Sequence, residues 1–170
     1  MTKKKKSLRV VIKKRRRLEG RTDYKARISL LTSGISRLVV RKSNMYIVAQ
    51  LVRSKEAQDS VFCTANSREL EKYGWKGSSK NLPASYLTCF LLGKKCKEKV
   101  KKAILDIGLH RSTKGSRIYA CLKGAVDAGL EIPHSQEMLP PENRIKGEHI
   151  NKELGKQFEE TKKKISDSYK

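Results

Sequence analysis

The chain has 170 residues, of which 40 are lysine or arginine and 17 are acidic, so its formal net charge is +23. A charge of this size opposes compaction unless an anion screens it, and we expect a polyanion as the partner. The longest apolar run, around residues 86–93, is far shorter than the roughly 18 residues that a membrane span needs, and the charged start of the chain is unlike a secretory signal.

The N-terminal segment is the most basic part of the chain. Residues 1–17 hold ten basic residues and no acidic one. Such a block cannot fold alone, because its charges repel and it has little apolar surface to bury. A solvated tail or a localisation signal is the plain alternative, but the basic bias continues into the centre of the chain. We predict a basic extension over residues 1–21, an α/β domain over 22–138 and a polar extension over 139–170 that forms a helix or frays.

The next segment has the pattern of a helix followed by three strands. Thr22 is predicted to cap a helix that ends at Gly34, with Tyr24, Ile28 and Leu31 on one apolar face. Two β-rich runs follow at 37–42 and 46–53, separated by a short polar turn. A third run lies at 61–65. The sequence therefore predicts an antiparallel meander.

A long helix is predicted after the meander. Asn66 and Glu69 have the spacing of a capping box that opens a short helix, and Pro83 fits the first turn of the longer one. Between them lies the sequence GWKG, residues 74–77. A GxxG between two helices is typical of a KH domain, although here four residues separate it from the second helix. A KH-like module for single-stranded RNA is therefore kept as an alternative.

The second half of the domain completes an α/β layer. Residues 103–109 are nearly all apolar, which is typical of a strand buried on both faces. The preceding helix provides the crossover that a parallel neighbour requires. A second helix is predicted over 118–128, before Gly129. The fold class is thus α/β, with a mixed sheet, formed by a three-strand antiparallel meander plus a parallel strand, and packed helices.

The four cysteines show no paired CxxC spacing, and no histidines flank them in a zinc-finger pattern. We expect reduced, buried packing residues, with a structural zinc as a minor alternative. These residues are Cys63, Cys89, Cys96 and Cys121. No metal and no cofactor are expected.

An enzyme would need converging carboxylates, and Asp106 with Asp127 is the best available pair. Two-metal nucleases require several such acids, whereas the remaining ones fall in predicted loops or on exposed helix faces. We expect Asp106 to bond a neighbouring loop instead. The sequence favours a protein that is not an enzyme, and a ribonuclease-H-type nuclease is the least favoured alternative.

Two polar segments suit RNA. The loop from Thr113 to Arg117 lies between a strand and a helix, where amides, hydroxyls and cations could meet a phosphate, and Lys123 lies about two turns along that helix. The predicted hairpin tip from Arg41 to Tyr46 combines cations, an amide and an aromatic ring, with Gln50 on the same side as Tyr46. An ordinary connection and a charge-protected edge hairpin are the plain alternatives.

Long stretches of the chain resemble a known family. They are RRRLEGRTDYKARISLLTSG, SRLVVRKSNMYIVAQLV, YGWKGSSKNLPASYLT, AILDIGLHRSTKGSRIYACLKGAVDAGLEIPHS and GEHI. Similar stretches occur in the same order in a family of universal ribosomal proteins that bind 5S rRNA, the family numbered eighteen in the large subunit. The chain resembles the archaeal type of that family. The resemblance covers residues 15–150, most of the chain.

The resemblance implies a ribonuclease-H-like motif without nuclease activity and a structural role in the central protuberance of the ribosome, in the cytoplasm. The implied partners are 5S rRNA, large-subunit rRNA and neighbouring large-subunit proteins. It also implies that GWKG is an incidental turn. The candidate RNA-binding residues, those of the family and Lys123, are Lys13, Lys14, Arg15, Arg16, Arg17, Arg21, Arg41, Lys42, Ser43, Asn44, Tyr46, Gln50, Thr113, Lys114, Gly115, Ser116, Arg117 and Lys123.

Overall fold

A mixed four-stranded sheet organises the protein. The computed structural model describes residues 14–56, 58–96 and 100–169. The strands run in the order β3-β2-β1-β4. The first three pair antiparallel and β4 pairs parallel to β1, so the predicted α/β class with a mixed sheet is confirmed. The strand bounds are β1 Ser36–Lys42, β2 Ile47–Lys55, β3 Gln58–Asn66 and β4 Ala103–Asp106.

Helices flank the sheet and complete the chain. Asn81 caps α3, with its Oδ1 accepting the Ala84 amide at 2.9 Å, and Pro83 occupies the first turn as predicted. The predicted capping box of Asn66 and Glu69 is also present, and it opens a 3-10 helix. Within the described residues no helix is both long and apolar enough to span a bilayer. The bounds are α1 Arg15–Leu18, α2 Tyr24–Thr32, η1 Ser67–Tyr73, α3 Leu82–Lys95, α4 Arg117–Asp127, η2 Gln136–Met138, α5 Glu142–Lys146 and α6 Lys152–Ser168.

The core lies between one face of the sheet and helices α3 and α4. Alternate residues of β1 and β2 point into it because successive side chains of a strand face opposite ways. Two glycines allow α3 and α4 to cross closely: a Cβ on Gly124 would meet the main chain of Tyr86, and one on Gly93 would meet the Ala128 side chain. The sheet residues that fill this core are Leu38, Val40, Ile47, Ala49 and Leu51.

The C-terminal segment forms a helix that packs on α3. In α6, Phe158, Thr161 and Ile165 are buried, and the ring of Phe158 lies 5.3 Å from that of Tyr86. The Lys162 ammonium stands 5.1 Å above the Tyr86 ring centroid. The apolar stripe of this otherwise polar helix therefore joins the core of the protein.

The predicted cap of α2 is wrong. Asp23 is the N-cap, because its Oδ1 accepts the main-chain N–H groups of Lys25 at 2.9 Å and Ala26 at 3.2 Å. The Thr22 hydroxyl instead accepts a hydrogen bond from Arg16 Nε. The apolar residues of α2 are also not buried, and Ile28 is 61% exposed.

The expectation of four reduced cysteines is wrong for two of them. Cys63 and Cys96 form a disulfide that joins β3 to the end of α3. Cys63 is paired with Leu51 across the sheet and therefore points toward the helices, where Cys96 ends α3. Cys89 and Cys121 are free and buried as expected. Burial and the hydrogen bond with Cys121 raise the pKa of the Cys89 thiol.

The strand predicted over 103–109 is shorter in the structure. β4 ends at Asp106, because the Asp106 carboxylate accepts the Gly108 amide at 2.9 Å and Gly108 has a φ of +60°. The chain turns there. The expectation of burial on both faces is also wrong for its middle, since Ile104 and Leu105 are only half-buried.

Candidate nucleic-acid interface

The open face of the sheet, the face opposite α3 and α4, carries a regular array of polar and apolar side chains. One row across the strands is Arg37, Val52 and Val61, and the next is Val39, Gln50 and Thr64. Partners in such a row share a face of the sheet. Gln50 Nε2 donates to Thr64 Oγ1 at 3.3 Å, which fixes the Gln50 side chain along the row.

A buried arginine organises the charges of the open face. The Arg37 side chain is only 4% exposed, and its guanidinium donates to Asp106 Oδ2 at 2.9 Å and to Asp59 Oδ1 at 2.8 Å. Asp59 also accepts from Arg27 at 2.9 Å and from the Ser54 hydroxyl. Burial opposes the ionisation of Asp59, but the Ser54 hydrogen bond and the two arginines outweigh it and lower the pKa of Asp59. Both carboxylates are therefore paired with arginine.

Arg41, a predicted RNA-binding residue, is fixed in place by β4. Its Nη2 donates to Asp106 Oδ1 at 2.9 Å, and its Nη1 donates to the main-chain oxygens of Asp106 at 2.8 Å and Val40 at 2.9 Å. Gly108 lies against the guanidinium, since a Cβ there would come within 2.9 Å of Arg41 Cζ. With 44% of its side chain exposed, Arg41 is both held and accessible.

The same contacts occupy both carboxylate oxygens of Asp106. One carboxylate oxygen accepts from Arg37 and the other from Arg41 and the Gly108 amide, which confirms the predicted loop-bonding role. Asp127 is engaged elsewhere and accepts from the Tyr86 hydroxyl at 2.7 Å. Among the residues that the structure describes, no group of three potential ligands could hold a metal ion.

The start of the described chain places arginines over the open face. A cavity of about 660 Å³ lies between α2 and the open face, and Arg16 and Arg21 also line it. Arg15 and Arg21 both pair with Glu19, at 3.3 and 3.2 Å, and the Lys14 ammonium stands 4.6 Å above the Tyr24 ring. Arg17 is exposed. The predicted site residue Lys13 lies outside the described residues.

The hairpin tip is shaped by Ser43. Its main-chain N–H and its hydroxyl both donate to the Tyr46 carbonyl, at 2.8 and 2.9 Å, and the hydroxyl accepts the Tyr46 amide. Asn44 is exposed at the tip. Arg68, which sequence reasoning missed, stacks its guanidinium 4.4 Å from the Tyr46 ring centroid. The capping box of Asn66 and Glu69 places Arg68 just after β3, beside the start of β2. This spacing was the feature of the sequence that could have predicted Arg68 near the hairpin.

His110, also missed from sequence, joins the hairpin to the glycine loop. Its Nε2 accepts the Lys42 amide at 3.4 Å. Burial, followed by the positive charges of Lys42, Arg41 and Arg117, lowers the pKa of His110. The two predicted RNA-binding segments, residues 41–46 of the hairpin and 113–117 of the glycine loop, therefore lie close enough to act on one imidazole. Together they form one basic region, which we call the hairpin–loop surface.

The glycine loop, residues 113–117, differs in part from the predicted phosphate cradle. The Gly115 amide donates to the Met138 carbonyl at 3.0 Å and the Ser116 amide to Thr113 at 3.2 Å, so these two donors are already used. Lys114 pairs with Glu137 at 3.3 Å through exposed side chains. Arg117 donates to the Lys80 carbonyl at 2.9 Å. An anion at this loop would therefore be bound by its cationic side chains rather than by these two amides.

Lys123 lies apart from that loop's contacts. It forms an ion pair with Asp127 at 3.0 Å, one turn further along α4. Because Asp127 also accepts from the Tyr86 hydroxyl, Lys123 belongs to a network between α3 and α4.

The GWKG segment has a structural role. Gly74 ends η1 with a φ of 88°, and Trp75 is buried. A Cβ on Gly77 would collide with the Trp75 ring and the Leu154 side chain, so this turn is packed beneath the start of α6. A KH clamp would instead need its GxxG open to RNA.

Comparison with known proteins identifies the family. The chain matches the family of ribosomal large subunit proteins 60S L5 and 50S L18 over residues 8–103 and 95–135. It is 54% identical over 143 residues to the large ribosomal subunit protein uL18 of Korarchaeum cryptofilum, covering 84% of this chain and 73% of that protein. It is 50% identical over 157 residues to uL18 of Methanococcus maripaludis, covering 92% of this chain and 79% of that protein.

A third relative, uL18 of Methanoregula boonei, is 51% identical over 143 residues, which are 84% of this chain and 82% of that protein. These relatives are structural proteins of the ribosome, so the nuclease alternative is wrong, and the partners are ribosomal RNA and ribosomal proteins. The resemblance found in the sequence is confirmed, and the chain belongs to the uL18 family of large-subunit ribosomal proteins.

Proposed function

We propose that this protein binds 5S rRNA and attaches it to large-subunit rRNA in the central protuberance of cytoplasmic ribosomes. The domain of residues 22–138 makes the 5S rRNA contacts, residues 1–21 form a basic extension along RNA, and residues 139–170 are a polar extension. The strand order β3-β2-β1-β4, with β4 parallel to β1, supports a ribonuclease-H-like motif that serves as an RNA-binding scaffold.

The hairpin–loop surface carries this proposal. Arg41 and Lys42 at the end of β1 and Arg117 at the start of α4 all act on His110, although they are distant in sequence. A folded surface that gathers cations has no internal reason to do so, because like charges repel. A phosphate backbone supplies the missing counter-charge, and the exposed Asn44 and the Tyr46 ring suit the sugars and bases of RNA.

The first test is the binding of purified protein to 5S rRNA across a salt series. If the surface neutralises several phosphates, affinity falls by about 10³-fold or more between about 50 and 200 mM salt. Binding that is indifferent to salt would contradict the proposal.

The second test separates the extension from the folded surface. A protein lacking residues 1–17 should bind 5S rRNA and tRNA more weakly by a similar factor, because the ten cations of this segment can pair with the phosphates of any RNA. Gln50→Ala or Arg41→Lys should instead reduce the preference for 5S rRNA, since they remove fixed donors and keep nearly all of the charge. Arg53→Ala, an exposed arginine of β2 outside the hairpin–loop surface, is the control. Equal losses for both RNAs in the Gln50 and Arg41 variants would contradict a specific surface.

A further inference from the structure

We propose that the cavity between residues 16–30 and the open face of the sheet holds one unpaired nucleotide of the bound RNA. This inference rests on the proposed function and names a subsite within it. The cavity measures about 660 Å³, which lies within the range of about 300–1,000 Å³ that is typical of ligand sites.

The floor of the cavity suits a flat, apolar ring. Val39, Val52 and Val61 come from three adjacent strands and all line it. Val52 and Val61 are direct partners across β2 and β3; Val61 is 52% exposed and Val52 4%, so Val61 and the half-buried Val39 offer most of the accessible methyl surface. A base placed on these side chains would bury its face against methyl groups. Inorganic phosphate would gain nothing from such a floor, which distinguishes a nucleotide from a simple anion.

A polar side chain lies beside this floor. Gln50 lines the cavity and lies directly opposite Val39 in the sheet. Its amide is held by Thr64 through one N–H and has further donor and acceptor capacity. An amide fixed in position beside an apolar floor can bond the edge of a base, as proteins do when they recognise unpaired RNA bases.

The rim of the cavity is cationic. Arg16, Arg21 and Arg41 line it from the N-terminal segment and from β1. The carboxylates of Asp59 and Asp106 in this lining are each paired with arginine, and that of Asp23 accepts the amides of Lys25 and Ala26. Guanidinium groups can both pair with a phosphate and stack on a base. The rim thus matches the charged part of a nucleotide and the floor matches its base.

The nucleotide must be unpaired to enter. A base within a duplex is covered on both faces by its neighbours and bonded along its edge, so it cannot lie on the valine floor. We therefore expect a looped-out or bulged nucleotide of RNA here.

The first arm of the test uses the full-length wild-type protein and the four ribonucleoside monophosphates as probes. Nuclear magnetic resonance of labelled valine methyl groups should show shifts at Val39, Val52 and Val61 on addition of at least one nucleotide. Ribose 5-phosphate, which lacks a base, should leave these methyl signals unchanged. Failure of all four nucleotides to shift the valine methyls would overturn the proposal, whatever the affinity for 5S rRNA.

The second arm tests whether RNA uses the cavity. Val61→Trp fills the floor from an exposed position and should weaken 5S rRNA binding by about tenfold or more. Ser60→Trp is the matched control, because its side chain is exposed on the neighbouring position of β3 and does not line the cavity. That control should stay within about twofold of wild type.

The outcomes separate the two proposals. If nucleotides shift the methyls but Val61→Trp binds 5S rRNA as wild type does, the cavity is a site for free nucleotides and the inference about RNA is wrong. If wild-type protein does not bind 5S rRNA at all, the proposed function fails even when nucleotides bind. Should Val61→Trp lose its fold, the first arm alone decides, since it needs no variant.

Discussion

Arg41 and Asp106 join the end of the hairpin to the end of the parallel strand. The guanidinium contacts both the carboxylate and the main-chain oxygen of Asp106, at 2.9 and 2.8 Å, although 65 residues separate the two positions. A side chain that is tied at two points loses less conformational freedom when it meets a ligand. Asp106 therefore holds Arg41 in position for an anion. In this fold the Asp106 carboxylate acts as a positioning residue for arginine.

Substitution Asp106→Asn should destabilise the protein. It keeps the size of the side chain but leaves the buried guanidinium of Arg37 with one carboxylate fewer. Breaking a buried ion pair costs about 3 kcal/mol, so we expect a loss of this order in the free energy of unfolding in urea. Glu131→Gln, which removes an exposed ion pair with Lys102, should cost less than about 1 kcal/mol. Similar small losses for both variants would show that the Arg37 network is not a stabilising element.

Two glycines in helices should respond in opposite directions to alanine. Gly124→Ala places a methyl group against the main chain of Tyr86, which cannot move without separating α3 from α4. We expect a loss of about 2 kcal/mol or more in the free energy of unfolding. Gly155 lies within α6, where the methyl would meet only the exposed side chain of Glu148, at 3.3 Å. Gly155→Ala should therefore raise stability by about 0.5–1 kcal/mol, and thermal unfolding of both variants would check the pair.

The disulfide should be detectable and stabilising. When the denatured protein is alkylated without reductant, mass spectrometry should show two modified thiols, Cys89 and Cys121. Because Cys63 and Cys96 are 33 residues apart, closing their loop in the unfolded chain should add about 4 kcal/mol to stability. Dithiothreitol should remove this increment from wild type and leave Cys63→Ser unchanged. Alkylation of four thiols without reductant would show that the bond does not form.

Acid should weaken the free protein through His110. The pKa of His110 is lowered in the fold from its ordinary 6.5, so the unfolded chain takes up the proton at a higher pH than the folded protein. Stability is therefore retained above pH 6.5 and declines as the pH falls toward the folded pKa. His110→Gln should flatten the dependence of unfolding on pH in this window.

RNA should act on the same histidine in the opposite direction. Phosphates near Arg41 and Lys42 favour the protonated imidazole, so 5S rRNA affinity should rise as the pH falls toward the lowered pKa of His110. Titration of 5S rRNA binding at several pH values would measure this, with His110→Gln as the comparison. An equal pH dependence in wild type and variant would place His110 outside the RNA contact.

Local patterns predicted much of the fold. The β-rich run at 37–42 indicates a strand, and the spacing of Asn66 and Glu69 indicates a helix start. These features depend on neighbours in sequence, and the structure contains both. The parallel strand followed from an apolar run and a helical crossover, since parallel pairing needs such a connection.

Contacts between distant segments could not be predicted in the same way. Nothing in the spacing of Cys63 and Cys96 indicates that β3 passes the end of α3, and nothing near Arg41 indicates Asp106 as its partner. The exposed Ile28 shows the same limit, because an apolar stripe predicts a buried face only where another element covers it. The segments of the candidate surface stay a prediction from sequence, and its internal ion pairs depend on the complete sheet.

The parallel pairing of β1 with β4 also sets an order of assembly. The β1–β2 hairpin has only local contacts and can form as soon as its residues leave the site of synthesis, whereas β4 must wait for α3. During that interval Arg37 and Arg41 lack the Asp106 carboxylate. A newly made chain therefore exposes the Arg41 guanidinium at the β1 edge of the sheet, whereas Arg37 already has Asp59 of β3 as a partner, and the arrival of β4 fixes Arg41 in place.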